Sequence, residues 1–454
     1  MKTKIYNILD KHRLKININL DDNEYNFLDE DLFKIAGRIN KKRSFLFVST
    51  LLGKHIPVNP KLSIATGRLL GLKMAREILD FRSPLKSIIA QNIKDKKIKD
   101  EEYYKIDQTK IELEDNTLFL GFAETATALA HSVFDGFKGN ISYIHTTRDK
   151  LIDLESFLQF DEEHSHAVGH FLYLENEDAF KNAKRIVLID DEMTTGRTGL
   201  NFIKELNKRY ENKEYIILSL LDWRSKRDKD LYKQFEKENN IKIKTITLLS
   251  GEIKLEVLDD KKALKAEYAK DNFDKNKGVN YICLNEELDF KKHIYKKSID
   301  EEYELSYLVD SGRFLIDFKK EEKLNEKLKT LAQKLKEFRT FEDSLCMGSE
   351  EFMYIPMKIA SYMGDNIAFQ STTQSPIFPM NKENYGAKNA FKFKNFKNLS
   401  NTNYFYNMDT NKYKEVFFFV EGVQKSSHLD DVIKELKRAG FEKINMVLFT
   451  SLNN

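Results

Sequence analysis

Between about Asn40 and Asn240, short apolar runs alternate with stretches whose apolar residues recur at helical spacing. Leu118–Phe122 and Ile141–Ile144 flank the helical Glu124–Phe134, and Ile186–Ile189 and Tyr215–Leu221 flank the helical Leu200–Tyr210. A run such as Ile186–Ile189, with no polar alternation, needs cover on both faces, which predicts a parallel strand between layers of helices. The alternation therefore predicts a Rossmann-like α/β unit with a twisted parallel sheet. From about Leu248 the regularity weakens, and Leu258–Tyr295 is charged and partly helical. From Arg313 onward α/β character returns: Lys320–Phe341 and Met353–Met363 read as helices, Asn366–Gln370 as a short strand, and Glu415–Val420, Leu429–Ala439 and Lys443–Phe449 as a strand–helix–strand unit. The pattern divides the chain into residues 1–245, a connecting region 246–310 and a second α/β unit 311–454.

Length agrees with two units, because 454 residues exceed what one hydrophobic core usually organises. Charge is dense but balanced, 75 basic against 72 acidic residues, which gives no general case for nucleic acid or a membrane as partner. An adaptor or nucleic-acid surface on the basic stretch Lys41–Lys54 has only local charge behind it. The two cysteines, Cys283 and Cys346, lie far apart without metal-ligand spacing, so neither a disulfide framework nor a zinc site is expected. No stretch of about 18 apolar residues occurs and the N-terminus lacks an apolar signal core, so a cytoplasmic protein is expected.

The segment that carries chemistry is Arg185–Thr198, RIVLIDDEMTTGRT. Its strand ends in Asp190 and Asp191, followed by Glu192, Met193 and a turn of Thr194, Thr195, Gly196, Arg197 and Thr198 that opens a helix. Ligands of open α/β sheets bind at such carboxyl ends. Backbone N–H groups and hydroxyls at a helix N-terminus suit a phosphate dianion, and Gly196 permits close approach. The paired acids suit the two vicinal hydroxyls of a ribose whose 5-phosphate sits in the turn. The segment thus reads as a grip on both ends of one phosphorylated sugar.

This segment resembles the phosphoribosyl pyrophosphate (PRPP) motif of the type I phosphoribosyltransferases, with its apolar run, paired acids and Thr-Thr-Gly-x-Thr turn in register. The resemblance implies a type I phosphoribosyltransferase sheet, with PRPP held by Asp190–Thr198 and Mg²⁺ bridging its oxygens near Asp190 and Asp191. It directs attention to Leu118–Phe134, where a strand, a glycine turn and a helix start would place Glu124, Thr125, Ala126 and Thr127 against pyrophosphate. Glu124 is unusual there, because its carboxylate repels phosphate unless it meets a metal or an amine. His145–His170 falls where related enzymes carry a mobile loop. Within it Arg148 and Lys150 are the cations suited to the leaving group, and His164 and His166, beside Glu162 and Glu163, are candidate substrate contacts. Lys41–Pro60, with Lys54 and His55, falls where orotate-type enzymes place a hood over the base.

Taken with GFAETATAL and EEHSHA, these features resemble a particular branch, the phosphoribosyltransferase and TRSP-domain proteins associated with tellurite-resistance (ter) operons. That resemblance runs from about Arg38 to about Val420. The C-terminal domain of that branch is named for a Thr-Arg-Ser-Pro motif; here the passage is STTQSPI, Ser371–Ile377, with Gln374 in place of the arginine. Gln374 can donate hydrogen bonds but supplies no charge. Thr373 and Ser375 are candidate substrate contacts, and Ser349 in MGSEEF is a candidate helix N-cap ahead of Glu350 and Glu351. The function implied is a Mg²⁺-dependent transfer from PRPP to a nitrogenous base, in nucleotide or nucleoside-like biosynthesis. The alternative is a PRPP or nucleotide sensor of the same fold without catalysis. Type I relatives are often dimers, and a homodimer is expected by that analogy. Trp223, just past a strand, is read first as packing and second as a stacking surface for a base.

Overall fold

The computed structural model describes residues 2–9, 11–20, 22–39, 44–160, 169–210, 213–258, 266, 278–284, 287–297, 301–409 and 411–450. An eight-stranded mixed sheet runs in the order Lys2–Ile8, His12–Ile18, Lys242–Val257, Glu214–Asp222, Arg185–Met193, Ile111–Gly121, Phe137–His145 and Ile316–Asp317. Its five central strands are parallel, and antiparallel pairs close both edges. The apolar run of Arg185–Met193 divides between two cores. Val187 and Ile189 face helix Ala126–Phe134, while Ile186 and Leu188 face helix Arg197–Asn207. Cover on both faces is the reason no polar alternation appears in that run.

From Ile111–Gly121 the chain moves one way along the sheet, to Phe137–His145. From Arg185–Met193 it moves the other way, through Glu214–Asp222 to Lys242–Val257. Strand order therefore reverses between Ile111–Gly121 and Arg185–Met193, and a crevice opens beyond their carboxyl ends. Trp223 is packing: it is buried, stacked on Phe47 at 5.1 Å and edge-on to Phe33 at 5.6 Å.

A second sheet of five parallel strands has the order Gly278–Cys283, Lys443–Leu448, Glu415–Val420, Ser344–Gly348 and Ile367–Ser371. Helix Tyr354–Tyr362 covers one face and helix Asp430–Arg438 the other. The stretch 246–310, expected as a connection, contributes to both sheets. Lys242–Val257 pairs with His12–Ile18, Gly278–Cys283 pairs with Lys443–Leu448, and Phe290–Lys296 forms a hairpin with Glu302–Leu308. In Phe290–Lys296 the exposed Lys291 and Lys292 stand beside the buried His293 and Tyr295, and such lysines are why this strand looks irregular.

The two units share buried charge. Lys358, on helix Tyr354–Tyr362, pairs with Asp107 at 2.5 Å and Asp135 at 3.0 Å of the N-terminal unit, and Arg68 also pairs with Asp135 at 2.5 Å. Burial alone would raise the Asp135 carboxyl, but Arg68, Lys110 and Lys358 outweigh it and hold the group well below the usual carboxylate range. Removing one partner of such a pair leaves an uncompensated buried charge. Lys358→Ala is expected to lower unfolding free energy by about 3–5 kcal/mol, read from the urea midpoint at pH 7; a loss below about 1 kcal/mol would contradict this account.

Candidate active site

The first half of the site follows from the motif strand. On one side Arg185–Met193 stays paired as far as Met193, opposite Asp222; on the other, pairing with Ile111–Gly121 ends at Gly121–Ile189. The strand is thus longer than the apolar run, and the acids expected just beyond it belong to its last turn of pairing. Asp190, Asp191 and Glu192 are half-buried along the edge that opens on the crevice, while Met193 is buried in the core. Asp190 Oδ1 accepts the Asp191 N–H at 2.9 Å, and Ser219 Oγ donates to the Asp191 carbonyl at 3.2 Å.

Beyond them Thr194, Thr195, Gly196, Arg197 and Thr198 are all half-buried, and helix Arg197–Asn207 begins directly after Gly196. Gly196 has φ +70°, and a Cβ there would stand 2.6 Å from Arg224 Cδ and 2.8 Å from the Tyr232 hydroxyl. The turn is braced from below: Arg224 pairs with Asp222 and lies over the Tyr232 ring, whose hydroxyl donates to the Gly196 carbonyl. These packed groups leave room only for glycine at the point where the backbone turns into the helix.

Across the crevice, loop Phe122–Thr125 leads into helix Ala126–Phe134, which starts two residues later than the sequence predicts. Glu124 and Thr125 are half-buried, Ala126 and Thr127 buried. The Glu124 carboxylate is neutralised by Lys54 Nζ at 2.9 Å and accepts a hydrogen bond from Thr373 Oγ1 at 3.1 Å. Lys54, 2% exposed, also donates to the Glu350 carbonyl at 2.7 Å. Three candidates drawn from distant parts of the chain, Lys54, Glu124 and Thr373, therefore form one cluster. Ser375 adjoins it, its N–H donating to Thr373 Oγ1 at 3.1 Å.

His55 does not join this cluster. It is buried beside Tyr406, and burial, with the neighbouring charges of Lys54 and Arg38, pushes its imidazole down to about 3. It is a neutral histidine of the interior. His164 and His166, with Glu162, Glu163 and Lys41, lie outside the described residues. Within the stretch His145–His170, expected as a mobile loop, Ser156–Phe160 forms a strand that pairs antiparallel with His170–Tyr173. Arg148 is half-buried with its N–H bound to Glu351 Oε2 at 3.1 Å, whereas Lys150 is exposed, its ammonium 5.9 Å from the centre of the Phe171 ring.

Glu350 and Glu351 are not the first turn of a helix capped by Ser349. The helix begins at Tyr354, and Ser349–Met353 is a tight loop in which Ser349 accepts the Phe352 N–H at 2.9 Å. Both acids turn inward, to opposite effect. Burial pushes the Glu350 carboxyl up to about 7; the Lys397 charge opposes the rise, while Glu124 and Asp149 add to it. Its Oε1 accepts from Gln374 Nε2 and Asn395 Nδ2, both at 2.6 Å. Burial also favours a neutral Glu351, but Arg313, His145 and Lys397 overcome it and bring that carboxyl down to about 2. Arg313, Lys397, Asp149, Asn395 and Glu421 complete this group, and sequence reasoning assigned none of them a role. The available signal was a charged residue abutting a buried apolar run, as in Glu421 after Glu415–Val420.

Residues 32–252 match the family model described as phosphoribosyl transferase, and residues 310–436 match that of the TRSP domain found C-terminal to it. No curated protein gives a significant match. Among solved structures, the chain is similar to a Trypanosoma brucei adenine phosphoribosyl transferase determined with AMP, pyrophosphate and ribose-5-phosphate, at 18% identity over 29% of this chain and a TM-score of 0.23. The match spans 56% of the trypanosomal enzyme's length. It is also similar to a Mycobacterium tuberculosis orotate phosphoribosyltransferase determined with inorganic phosphate, at 13% identity over 50% of this chain and 96% of that one, with a TM-score of 0.24.

A raised carboxyl makes stability fall with pH. The contribution of neutral Glu350 is present below its unfolded value of 4.5 and is lost as pH rises through about 7. Glu350→Gln is therefore expected to flatten the decline in urea midpoint across that window, and an unchanged slope would contradict the assignment.

Proposed function

The chain belongs to the family in which a phosphoribosyl transferase domain is followed by a TRSP domain, and from that premise we propose that it transfers 5-phosphoribose from PRPP to a nitrogenous base. The observation that carries the reading is the pair of loops at one reversal of strand order: Asp190–Thr198 on one lip of the crevice, Phe122–Thr127 on the other. PRPP has the matching form, a sugar with one phosphate at C5 and two at C1.

On this reading Asp190 and Asp191 accept hydrogen bonds from the ribose 2- and 3-hydroxyls. The N–H groups of Thr194–Thr198, at the start of helix Arg197–Asn207, hold the 5-phosphate, with the Thr194, Thr195 and Thr198 hydroxyls beside them. Helix Ala126–Phe134 presents its positive end to the pyrophosphate, with Thr125 and Thr127 at the loop and Arg148 near it. As the acceptor nitrogen bonds to C1, the bond from C1 to the pyrophosphate oxygen breaks. The electron pair leaves with pyrophosphate, and the proton of the attacking N–H goes to solvent. The chain's part is to fix both ends of the sugar while charge develops between them.

The half-buried carboxylates of Asp190 and Asp191 fit a Mg²⁺ ion that arrives with PRPP, since hard oxygen donors and retained waters suit it. Among the described residues no group of three His, Cys, Asp or Glu side chains forms a metal cage, so Asp190 and Asp191 would hold the ion together with substrate oxygens. An ion held there would supply neutralisation of charge on the leaving group. A nucleotide-like product and the tellurite-resistance association are proposed on the sequence resemblance.

The test is pyrophosphate release from Mg²⁺–PRPP against a panel of purine, pyrimidine and related bases. Release is expected with one class of base, with a loss of about 100-fold or more in the Asp190→Asn, Asp191→Asn double variant. PRPP binding without base-dependent release would replace the transferase reading with that of a sensor; undiminished PRPP affinity in the double variant would mean the motif does not bind the sugar.

A further inference from the structure

The C-terminal sheet has a strand-order reversal of its own. Ser344–Gly348 continues through helix Tyr354–Tyr362 to Ile367–Ser371 on one side, and Glu415–Val420 through helix Asp430–Arg438 to Lys443–Leu448 on the other. The crevice between Gly348 and Val420 is where an open α/β sheet takes its ligand. Here it is filled by protein. Arg313, 1% exposed, donates to Glu421 at 2.7 and 3.0 Å and to Glu351 Oε1 at 3.0 and 3.3 Å.

What Arg313 fixes, Glu351 passes on. Its carboxylate accepts from Thr147 Oγ1 and, at 3.1 Å, from the Arg148 N–H, and its carbonyl accepts from Thr127 Oγ1 at 3.1 Å. The loop after the neighbouring strand makes a second grip, Thr373 Oγ1 to Glu124 at 3.1 Å. Loops at the carboxyl end of the C-terminal sheet thus hold Glu124–Thr127 and Arg148, both assigned to the leaving group, together with Thr147, the residue before Arg148. A bare carboxylate there would repel pyrophosphate, and the buried guanidinium of Arg313 is the counter-charge that lets Glu351 stand so close.

We propose that the C-terminal domain uses its own ligand crevice as a socket for the leaving-group loops of the transferase domain, with Glu351 as the positioning residue that holds Thr127, Thr147 and Arg148 in pyrophosphate-binding geometry. The inference rests on the transferase reading above. It gives the C-terminal domain a defined part in the reaction: the pyrophosphate half of the site is built by two domains, whereas the ribose-phosphate half, Asp190–Thr198, is built by one. Loss of Glu351 acts on one end of the substrate and leaves the other end alone.

The test is calorimetric titration of the full chain with Mg²⁺–PRPP, Mg²⁺–pyrophosphate and ribose 5-phosphate, for the wild type, Glu351→Ala and Thr147→Val, with thermal melts to confirm folding. Glu351→Ala is expected to weaken PRPP and pyrophosphate about tenfold or more while ribose 5-phosphate stays within about twofold, because misplaced groups lose binding only where they touch. Thr147→Val removes one grip on Glu351, together with the hydrogen bond Thr147 Oγ1 accepts from the Asp149 N–H at 3.1 Å, while the Arg313 pairs stay in place, and it is expected to shift the same two ligands by about threefold or more. Equal loss for all three ligands, or none, in the variants that fold would overturn the proposal. A wild type that binds none of the three would overturn the transferase reading and this inference with it.

Discussion

One buried guanidinium joins the two halves of this molecule. Arg313 sits on a segment hydrogen-bonded to the N-terminal sheet, where the His145 N–H donates to the Gly312 carbonyl at 2.9 Å and Ile316 pairs with Tyr143. Its partners Glu351 and Glu421 stand at the ends of two adjacent parallel strands of the other sheet. A charge buried so deeply is tolerated only when fully paired, and the pairing here needs both sheets in register at once. Lys358, between Asp107 and Asp135, repeats the arrangement with a cation from the C-terminal unit and acids from the N-terminal one. Ion pairs specify direction and distance where apolar packing does not, so the two crevices face each other in one geometry.

The crevice facing is what gives the candidate site its shape. On the N-terminal side the divergence of Arg185–Met193 from Ile111–Gly121 exposes Asp190 and Asp191 along a strand edge, and the helix starts on either side point their N–H groups at the opening. On the C-terminal side the opening is filled by Arg313, Glu351 and the loops they hold. The N-terminal hairpin of Phe33–Gly37 with Phe45–Ser49 is built into the same wall: Gly37 N–H donates to the Tyr385 hydroxyl at 2.8 Å, and Ser371 N–H to the Gly53 carbonyl at 2.7 Å. The hood expected over a base and the C-terminal domain are therefore one surface.

Much of this is legible in the sequence itself. Ile186–Ile189 announced a doubly covered strand because burial on both faces erases polar alternation, and the following turn carried its chemistry in adjacent residues. Two helices of the C-terminal unit are legible for a different reason: Lys320–Phe341 and Leu429–Ala439 keep helical spacing because each helix buries one face, Leu324, Leu328, Leu331 and Leu335 in the first and Val432, Ile433 and Leu436 in the second. What was not legible depended on partners far away in sequence. Glu350 and Glu351 look like helix-capping acids because that local explanation needs nothing distant, and only the positions of Arg313, Thr147 and Asn395 turn them inward. Lys54, Glu124 and Thr373 are separated by most of the chain, and no spacing rule joins them. Phe290–Lys296 looks like part of a connection because its lysines hide a period of two that the pairing with Glu302–Leu308 makes plain.

The charge balance of this wall bears on how a leaving pyrophosphate could be met. Lys54 is bound to Glu124, Lys397 to Asp149 at 2.8 Å, and Arg313 to two carboxylates, so each of these buried cations already has an acid of this chain beside it. The pairs fix the loops but leave little of their charge for a ligand, because an ion pair seen from a few ångströms away is a dipole. On the proposed reading the leaving group's charge would fall instead on the N–H groups at the start of helix Ala126–Phe134, on Arg148 and on a metal arriving with PRPP. Glu124 then has a part that its sign alone would not suggest. It holds Lys54 and Thr373 to the loop, so that a carboxylate beside the pyrophosphate site serves the geometry of that site while its charge is answered from within the protein.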